Sequence, residues 1–269
     1  MPPKEDLTAF LFAAVQAAHA AGDVIRAGAR NRANIAIERK TVNDFVSVVD
    51  KGAEQAIIET LSGSFPEHAF RAEESGVAGS SRYTWVIDPL DGTTNFLHGI
   101  PHYCVSIALL IDEVVMVGVV LDPTSGRLFT ATRGNGAFLD GVRIRVSDRP
   151  GLTEAVLGTG FPFKDWDYID EYLASLKVIM QRCAGIRRPG AAALDLAYVS
   201  AGWTDGHWEK CLNPWDVAAG SLLVQEAGGV VSTFTGSPSF MNSGQIVVGT
   251  PGVHAALVDV LAAYPALAA

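Results

Sequence analysis

Apolar positions recur along this chain at two different spacings. Over 5–29 and 51–62 they return every three or four residues, with Ala53, Ala56, Ile57 and Leu61 on one face. That is the spacing of helices laid against a core. Between them, 33–39 and 45–49 read as strands, joined by the polar segment Lys40-Thr41-Val42-Asn43-Asp44 as a loop or hairpin. A run of strands follows at Thr84–Ile87, Cys104–Ile111, Val114–Leu121, Leu128–Thr132, Ala137–Leu139 and Ile144–Val146, each bounded by Gly, Asp or Asn, with Asp112-Glu113 as a hairpin tip. Strands so close in sequence predict a mainly antiparallel sheet. After Pro150-Gly151 the pattern changes: strands at Ala155–Gly158, Val230–Phe234 and Gln245–Gly249 are interspersed with helices over 166–182, 190–201, Asp216–Ala227 and 251–264. Gly228-Gly229 is a stop for the third of these helices. Two groups of strands separated by helices predict an α/β protein of stacked layers with mixed and antiparallel sheets. The expected organisation is a single domain over 1–269, with sub-regions 1–150 and 151–269.

Composition narrows the function classes. Hydrophobic residues make up 49% and charged residues 18%, an ordinary globular balance. The net charge is −9 with no Lys/Arg run, so nucleic acid is not expected as a primary partner. A small anionic ligand is compatible with that charge if a divalent metal reverses the local field. Cys104, Cys183 and Cys211 are odd in number, far apart and lack metal-ligand spacing, which reads as reduced thiols in a cytoplasmic protein. The N-terminus lacks the basic start and cleavage site of a secretory signal. Leu7–Ile25 is Ala-rich but carries Gln16, His19 and Asp23, which suits a surface-packed helix better than a membrane span.

The chemistry concentrates in Trp85-Val86-Ile87-Asp88-Pro89-Leu90-Asp91-Gly92-Thr93-Thr94-Asn95-Phe96. Pro89 lacks an N–H and is expected to end the strand, leaving Asp88 and Asp91 on a tight turn. Gly92-Thr93-Thr94 then opens a helical turn whose free N–H groups suit an anion. Two carboxylates beside an anion site make sense with a divalent cation between them. As bare capping residues they would carry no function; the length of the whole string favours the metal reading. Glu73-Glu74 alone would read as a solvated acidic loop, and Asp216 alone as a helix N-cap. A helix start also keeps a carboxylate ionised, as a metal ligand must be. Oxygen donors throughout point to Mg²⁺ and not zinc.

The segment Asp88–Phe96 resembles the first signature of the inositol monophosphatase family, and Pro214-Trp215-Asp216-Val217-Ala218-Ala219-Gly220 resembles the second. The likeness extends through Asp44-x-Val46-Ser47-x-x-Asp50, Glu73-Glu74-Ser75-Gly76, Gly158-Thr159-Gly160-Phe161-Pro162 and Gly190-x-Ala192-Ala193-Leu194-Asp195, in the family's order. It implies a layered αβαβα fold, a homodimer, Mg²⁺-dependent hydrolysis of small phosphate monoesters with two or three ions per site, and lithium sensitivity. By the same resemblance Glu73, Asp88 and the Leu90 carbonyl hold one metal, and Asp88, Asp91 and Asp216 a second. Asp50 and Thr93 orient the attacking water, with Glu73 close to it and Asp91 in the catalytic set. Gly92 and Thr93 hold the phosphate, while Gly190, Ala191, Ala192, Glu209 and Asp216 face the substrate. Lys40, Glu74 and Thr94 support the site.

Two positions depart from the pattern: Ala191 replaces a Ser or Thr, and Trp203 replaces a commoner Arg. Both bear on substrate identity. Arg187-Arg188 reads equally as a substrate or subunit contact and as a surface basic pair. The implied substrate is myo-inositol 1-phosphate. Relatives acting on fructose 1,6-bisphosphate, NADP, 3′-phosphoadenosine 5′-phosphate or histidinol phosphate are the alternatives within the class, because the same ligands address only the phosphate. A regulatory binding protein that retains the fold is the alternative outside it. Asp91→Asn is expected to abolish nearly all Mg²⁺-dependent turnover while leaving the fold intact; near-normal Mg²⁺-dependent kinetics in that variant would refute the ligand assignment.

Overall fold

The computed structural model describes residues 6–32, 37–41, 44–163 and 165–268. Helices α1 (Thr8–Arg30) and α2 (Val48–Ser64) pack side by side. They do so because α1 presents a stripe of small residues, Ala13, Ala14, Ala17, Ala18, Ala21 and Gly22, that lets its neighbours approach closely. By length and composition α1 could cross a membrane, but this stripe and Ile25 are buried within the protein. Between the helices lies an antiparallel hairpin of β1 (Ile37–Thr41) and β2 (Asp44–Ser47). Lys40 sits on β1; its side chain, like residues 42–43 of the expected loop, lies outside the described set.

The strand expected over 45–49 ends at Ser47. The Ser47 hydroxyl accepts from the Val49 N–H at 3.1 Å, and Asp50 Oδ2 accepts from the Ser47 N–H at 2.8 Å. This reciprocal capping box starts α2 at Val48 and converts the two Val positions to helix.

Among the described residues, the larger sheet has eight strands: β3 (Ala69–Ala72), β4 (Gly76–Ala78), β5 (Tyr83–Asp91), β6 (Cys104–Ile111), β7 (Val114–Leu121), β8 (Leu128–Thr132), β9 (Gly136–Leu139) and β10 (Val142–Ile144). Their order is β10-β9-β8-β7-β6-β5-β3-β4, antiparallel except for β3 with β5. Every residue of β6 is buried, as expected of a central strand covered on both faces. Asp112 and Glu113 both take positive φ (50° and 63°), the backbone of a two-residue hairpin turn. Asp140-Gly141 does the same and starts β10 two residues earlier than the sequence pattern suggested.

The second sheet combines β11 (Val156–Thr159), β12 (Gly185–Arg187), β13 (Gly206–Lys210), β14 (Val230–Ser232) and β15 (Gln245–Gly249) in the order β12-β11-β13-β15-β14. β11 runs parallel to β12 and β13, and the other pairs are antiparallel. Helices α5 (Ala192–Ser200) and α6 (Pro214–Glu226) lie between the two sheets. α6 is buried continuously from Val217 to Val224, as a helix covered on all sides must be. Helices α4 (Ile169–Met180) and α8 (Pro251–Leu261) cover the outer face of the second sheet. Short helices α3 (Thr93–His98), α7 (Phe240–Ser243) and α9 (Pro265–Ala268) complete the described elements.

The layers are therefore α1/α2, sheet, α5/α6, sheet, α4/α8. This is the expected αβαβα sandwich, with an apolar cluster in each interface. The central contact is tight: a Cβ built on Gly118 of β7 would stand 2.9 Å from the Ala219 carbonyl oxygen of α6. Gly118→Ala must push helix and sheet apart and is expected to cost about 1–3 kcal/mol in urea unfolding. Gly63→Ala, in open space on α2, should cost nothing or stabilise slightly. Equal stabilities for the two variants would contradict the close packing.

Candidate active site

Strand β5 carries the acidic motif across an irregularity. Asp88 pairs with Ser106 and Asp91 with Cys104, so three steps on β5 face two on β6. The bulge absorbs Pro89, and the strand continues to Asp91 instead of ending at Pro89 as the missing N–H suggested. Asp88 Oδ1 accepts from the Leu90 N–H at 3.0 Å and so fixes the bulge. Gly92 then turns the chain with φ 91° and opens α3. A side chain there would press on the His102 carbonyl oxygen at 3.0 Å and the Ala191 Cβ at 3.1 Å, so glycine is required. The Thr93 hydroxyl is 3.0 Å from Asp50 Oδ1 and 3.1 Å from the Leu90 carbonyl oxygen; its single proton serves one acceptor at a time.

Distant segments supply the remaining acids. Glu73 follows β3, where its N–H donates to the Ile87 carbonyl of β5 at 3.1 Å. The next two backbone N–H groups, of Glu74 and Ser75, donate to the Glu54 carboxylate at 2.8 and 2.9 Å. Glu54 is buried on α2, one turn beyond Asp50. Sequence reading missed it, although a second acid four residues after Asp50 shares its helix face. Asp216 is the third residue of α6, not its first: Pro214 opens the helix, Asn213 is the N-cap, and the Asn213 N–H donates to Asp216 Oδ2 at 2.6 Å.

Asp91 acts as a cap at long range. Helix α5 starts after Ala191, whose methyl cannot accept a hydrogen bond, and the Ala193 N–H donates instead to Asp91 Oδ2 at 2.7 Å.

Electrostatics reflect this crowding. Burial pushes Asp88 well above the carboxylate range, and the charges of Glu73, Asp91 and Asp216 and a hydrogen bond with Glu73 push it further. Asp216 is raised well above that range, first by burial and then by Asp91, with the Asn213 N–H opposing. Burial lifts Asp91 to about 7 against the Ala193 hydrogen bond, helped by Asp195, Glu209 and Glu73. Asp50 is raised by burial, and its hydrogen bonds from Ser47 and Thr93 oppose this. Three carboxyls lifted partly by their neighbours' charges mark a place where a cation would relieve repulsion.

These groups surround a cleft of about 370 Å³. Of the predicted residues, Glu73, Asp88, Leu90, Asp91, Gly92, Thr93, Thr94, Gly190, Ala192, Glu209 and Asp216 line it. Asp50 lies buried behind Thr93, Ala191 is buried against Gly92, and Glu74 is not among the lining residues. Trp203 also stands off the cleft, packed on Tyr198 and Phe129 with Arg127 over its ring. Cys104 is a core residue, its thiol 3.7 Å from Asp91 Oδ2 and raised well above its ordinary value, first by burial.

Phe161, Pro162, Phe163, Tyr168, Lys210 and Cys211 also line the cleft; of these, sequence reading had only Phe161 and Pro162, within the Gly158–Pro162 likeness, and gave none of them a role. Arg188, left open between site and surface, lines the cleft, its guanidinium 5.7 and 5.3 Å from the Phe161 and Phe163 rings. The available signal was the aromatic pair around Pro162.

Among the described residues, no group of three or more His, Cys, Asp or Glu side chains is already gathered closely enough to hold a metal ion. The cleft instead offers the carboxylates of Glu73, Asp88, Asp91 and Asp216 and the Leu90 carbonyl. Mg²⁺ keeps several waters and takes one or two carboxylates plus phosphate oxygens, so this donor set fits it.

The model of the inositol monophosphatase family matches residues 6–265. Nus factor SuhB of Pseudomonas aeruginosa is 49% identical over 254 residues, covering 92% of this chain and 94% of the relative. The crystal structure of extragenic suppressor protein suhB from Bartonella henselae superposes with a TM-score of 0.92 at 42% identity, covering 94% of this chain and 98% of that one. The inositol monophosphatase from Anabaena (Nostoc) sp. PCC 7120 gives 0.85 at 38% identity, covering 97% and 98%.

Glu54→Gln places an amide N–H against one of two backbone donors. It is expected to destabilise by about 1.5–3 kcal/mol in urea unfolding. An unchanged midpoint would mean that Glu54 does not hold the Glu73 loop.

Proposed function

This chain belongs to the inositol monophosphatase family, and from that premise we propose that it hydrolyses myo-inositol 1-phosphate to inositol and phosphate with Mg²⁺. The family makes it a phosphatase; the metal, the ester and the residue roles are the proposal. The observation that carries it is the convergence of Glu73, Asp88, Asp91 and Asp216 on one cleft beside Gly92 and Thr93. Glu73, Asp88 and the Leu90 carbonyl would hold one ion, and Asp88, Asp91 and Asp216 another. When bound, Mg²⁺ lowers the pKa of a water and offsets phosphate charge.

The protein's own groups do the positioning. A Thr93 hydroxyl that donates to Asp50 keeps its oxygen free as an acceptor, so it orients a water toward phosphorus. Asp50 is itself held by Ser47 through two hydrogen bonds, at 2.8 and 2.6 Å, which fixes the direction of that relay. Backbone N–H groups of Gly92 and Thr93 would face the phosphate oxygens, where negative charge concentrates. Gly190, Ala192 and Glu209 would face the inositol ring. Ala191, buried behind Gly92, shapes the wall and brings no hydroxyl to it. A homodimer, cytoplasmic location and lithium sensitivity belong to the same proposal. So does the division of labour within one catalytic unit, with 1–150 supplying Glu73, Asp88 and Asp91 and 151–269 supplying Asp216.

The name Nus factor, borne by the Pseudomonas relative, supports a second reading in which the chain also serves a protein or RNA partner. The net charge of −9 disfavours direct RNA contact.

Phosphate release should be measured across myo-inositol 1-phosphate, fructose 1,6-bisphosphate, NADP, 3′-phosphoadenosine 5′-phosphate and histidinol phosphate. The inositol ester is expected to show the highest kcat/KM, and only with Mg²⁺. Absence of Mg²⁺-dependent release from all five, with a partner co-purifying, would favour the binding-protein reading.

Metal binding should also follow pH. Without metal, Asp91 is raised from 3.8 to about 7, so the native state holds a proton that the unfolded chain releases over that window. That stabilisation is present at low pH and lost as the pH rises through about 7. A cation must displace the same proton. The Mg²⁺-induced rise in Tm is therefore expected to grow from about pH 6 to about pH 8. A rise independent of pH would count against Asp91 as a ligand.

A further inference from the structure

Behind Glu209 of the cleft lies a buried side chain that the reaction scheme leaves unused, His207. His207 and Glu209 are two residues apart on β13, so both side chains project from the same face of the sheet. Glu209 reaches the cleft, whereas His207 is wholly buried. Their side chains meet, His207 Nε2 to Glu209 Oε2, at 3.1 Å. The opposing residues of β15 are Val248 and Ile246, which belong to the apolar cluster shared with α5 and α6. The imidazole is thus set in a hydrocarbon layer, and its Nδ1 is buried without a hydrogen-bond partner.

The adjacent segment is shaped to admit this pair. Gly158 of β11 is in register with His207, and a Cβ there would stand 2.6 Å from His207 Nδ1. A Cβ on Gly160 would collide with the Glu209 carboxylate, meeting Oε1 first. The Gly158-Thr159-Gly160 motif therefore has a physical reading: two glycines spaced by two clear room for an imidazole and a carboxylate spaced by two.

An ionised carboxylate only accepts, so the hydrogen bond requires a proton on His207 Nε2. That bond occupies Oε2 and leaves Oε1, above Gly160, available at the cleft.

We propose that His207 is a positioning residue for substrate selection: it anchors Glu209 Oε2 so that Oε1 accepts a hydrogen bond from a hydroxyl on the organic part of the phosphate ester. Hydroxyl-bearing esters are thereby favoured over those whose organic part has none. The inference rests on the reading of this cleft as a phosphatase site with Glu209 on the organic side. It adds the group that makes Glu209 selective. A site built to receive a hydroxyl discriminates against an ester lacking it, because the acceptor is then left unpaired beneath the ligand.

The test compares myo-inositol 1-phosphate with phenyl phosphate, which has no hydroxyl on its organic part. Failure of the wild-type protein to hydrolyse either ester would sink the reading as an inositol-ester phosphatase; the inference is judged on the ratio of the two kcat/KM values. His207→Phe keeps a ring in the apolar layer and removes the donor. Loss of one hydrogen bond's worth of positioning is expected to lower the ratio by about tenfold, through a raised KM for the inositol ester. His207→Gln, whose amide N–H can replace Nε2–H, should restore most of the ratio. In a Glu209→Gln background, His207→Phe should lower it no further, because the effect passes through Glu209.

An unchanged ratio in His207→Phe, or equal losses in His207→Phe and His207→Gln, would overturn the proposal. If His207→Phe does not fold, Gly160→Ala displaces the Glu209 carboxylate from the other side. It should lower the same ratio while His207→Gln preserves it, and a ratio unmoved by Gly160→Ala would equally reject the idea.

Discussion

Like charges gathered in a partly buried cleft repel, and the protein must hold them together before any ligand arrives. Glu73, Asp88, Asp91 and Asp216 come from three separate stretches of chain, and burial together with mutual charge raises Asp88, Asp91 and Asp216. What opposes dispersal is that several of these acids are also structural acceptors. Asp88 fixes the β5 bulge through the Leu90 N–H, Asp91 caps α5 through the Ala193 N–H, and Asp216 closes the first turn of α6 through the Asn213 N–H. Each hydrogen bond lowers the cost of keeping a carboxylate in place and aims its other oxygen elsewhere. Removing one acid therefore relieves repulsion and also opens a helix end or a bulge.

The layered architecture explains why these bonds meet at one point. α5 and α6 lie between the sheets, and their N-termini approach the end of β5, where the strand leaves the sheet through Gly92. Helix N-termini favour negative charge, so the middle layer offers Asp91 and Asp216 two favourable positions on one side of the cleft. The outer layer contributes from behind: α2 carries Asp50 toward Thr93 and Glu54 toward the loop that presents Glu73. Close contact between β7 and α6 at Gly118 sets the spacing that these bonds require.

The sequence was most informative where one residue type admits one local structure. Both ends of β6, β7, β8 and β15 were legible, because buried β-rich runs were bounded by turn residues. The acidic motif was legible as chemistry, but its backbone was misjudged: a bulge can carry Pro89 through a strand, and nothing in the string Asp88-Pro89-Leu90-Asp91 announces one. Val48 and Val49 looked like strand because β-branching is a local preference, whereas the Ser47–Asp50 capping box that overrides it depends on side-chain direction. Strand β13 was not seen at all. Its residues, Gly206-His207-Trp208-Glu209-Lys210, lack the apolar run of a strand buried on both faces, because the face turned to α5 and α6 carries a paired imidazole and carboxylate.

That contrast between the acidic motif and the rest of the cleft lining has a physical origin. Phosphate has the same charge and geometry in every ester, so on the proposed function a short, rigid run of chain, Asp88–Thr93, would suffice to receive it. The rest of the lining comes from segments with no rigid signature: the Phe161–Phe163 turn, Arg188 above it, and β13. Ala191 shows how the two sides communicate. With no side-chain oxygen there, α5 takes its cap from Asp91, and an acid at the end of β5 fixes the helix that carries Ala192 into the cleft wall. The shape of the cleft therefore follows from how the second sheet and α5 are seated against β5, and it is written in glycine and alanine positions at which larger residues would not fit.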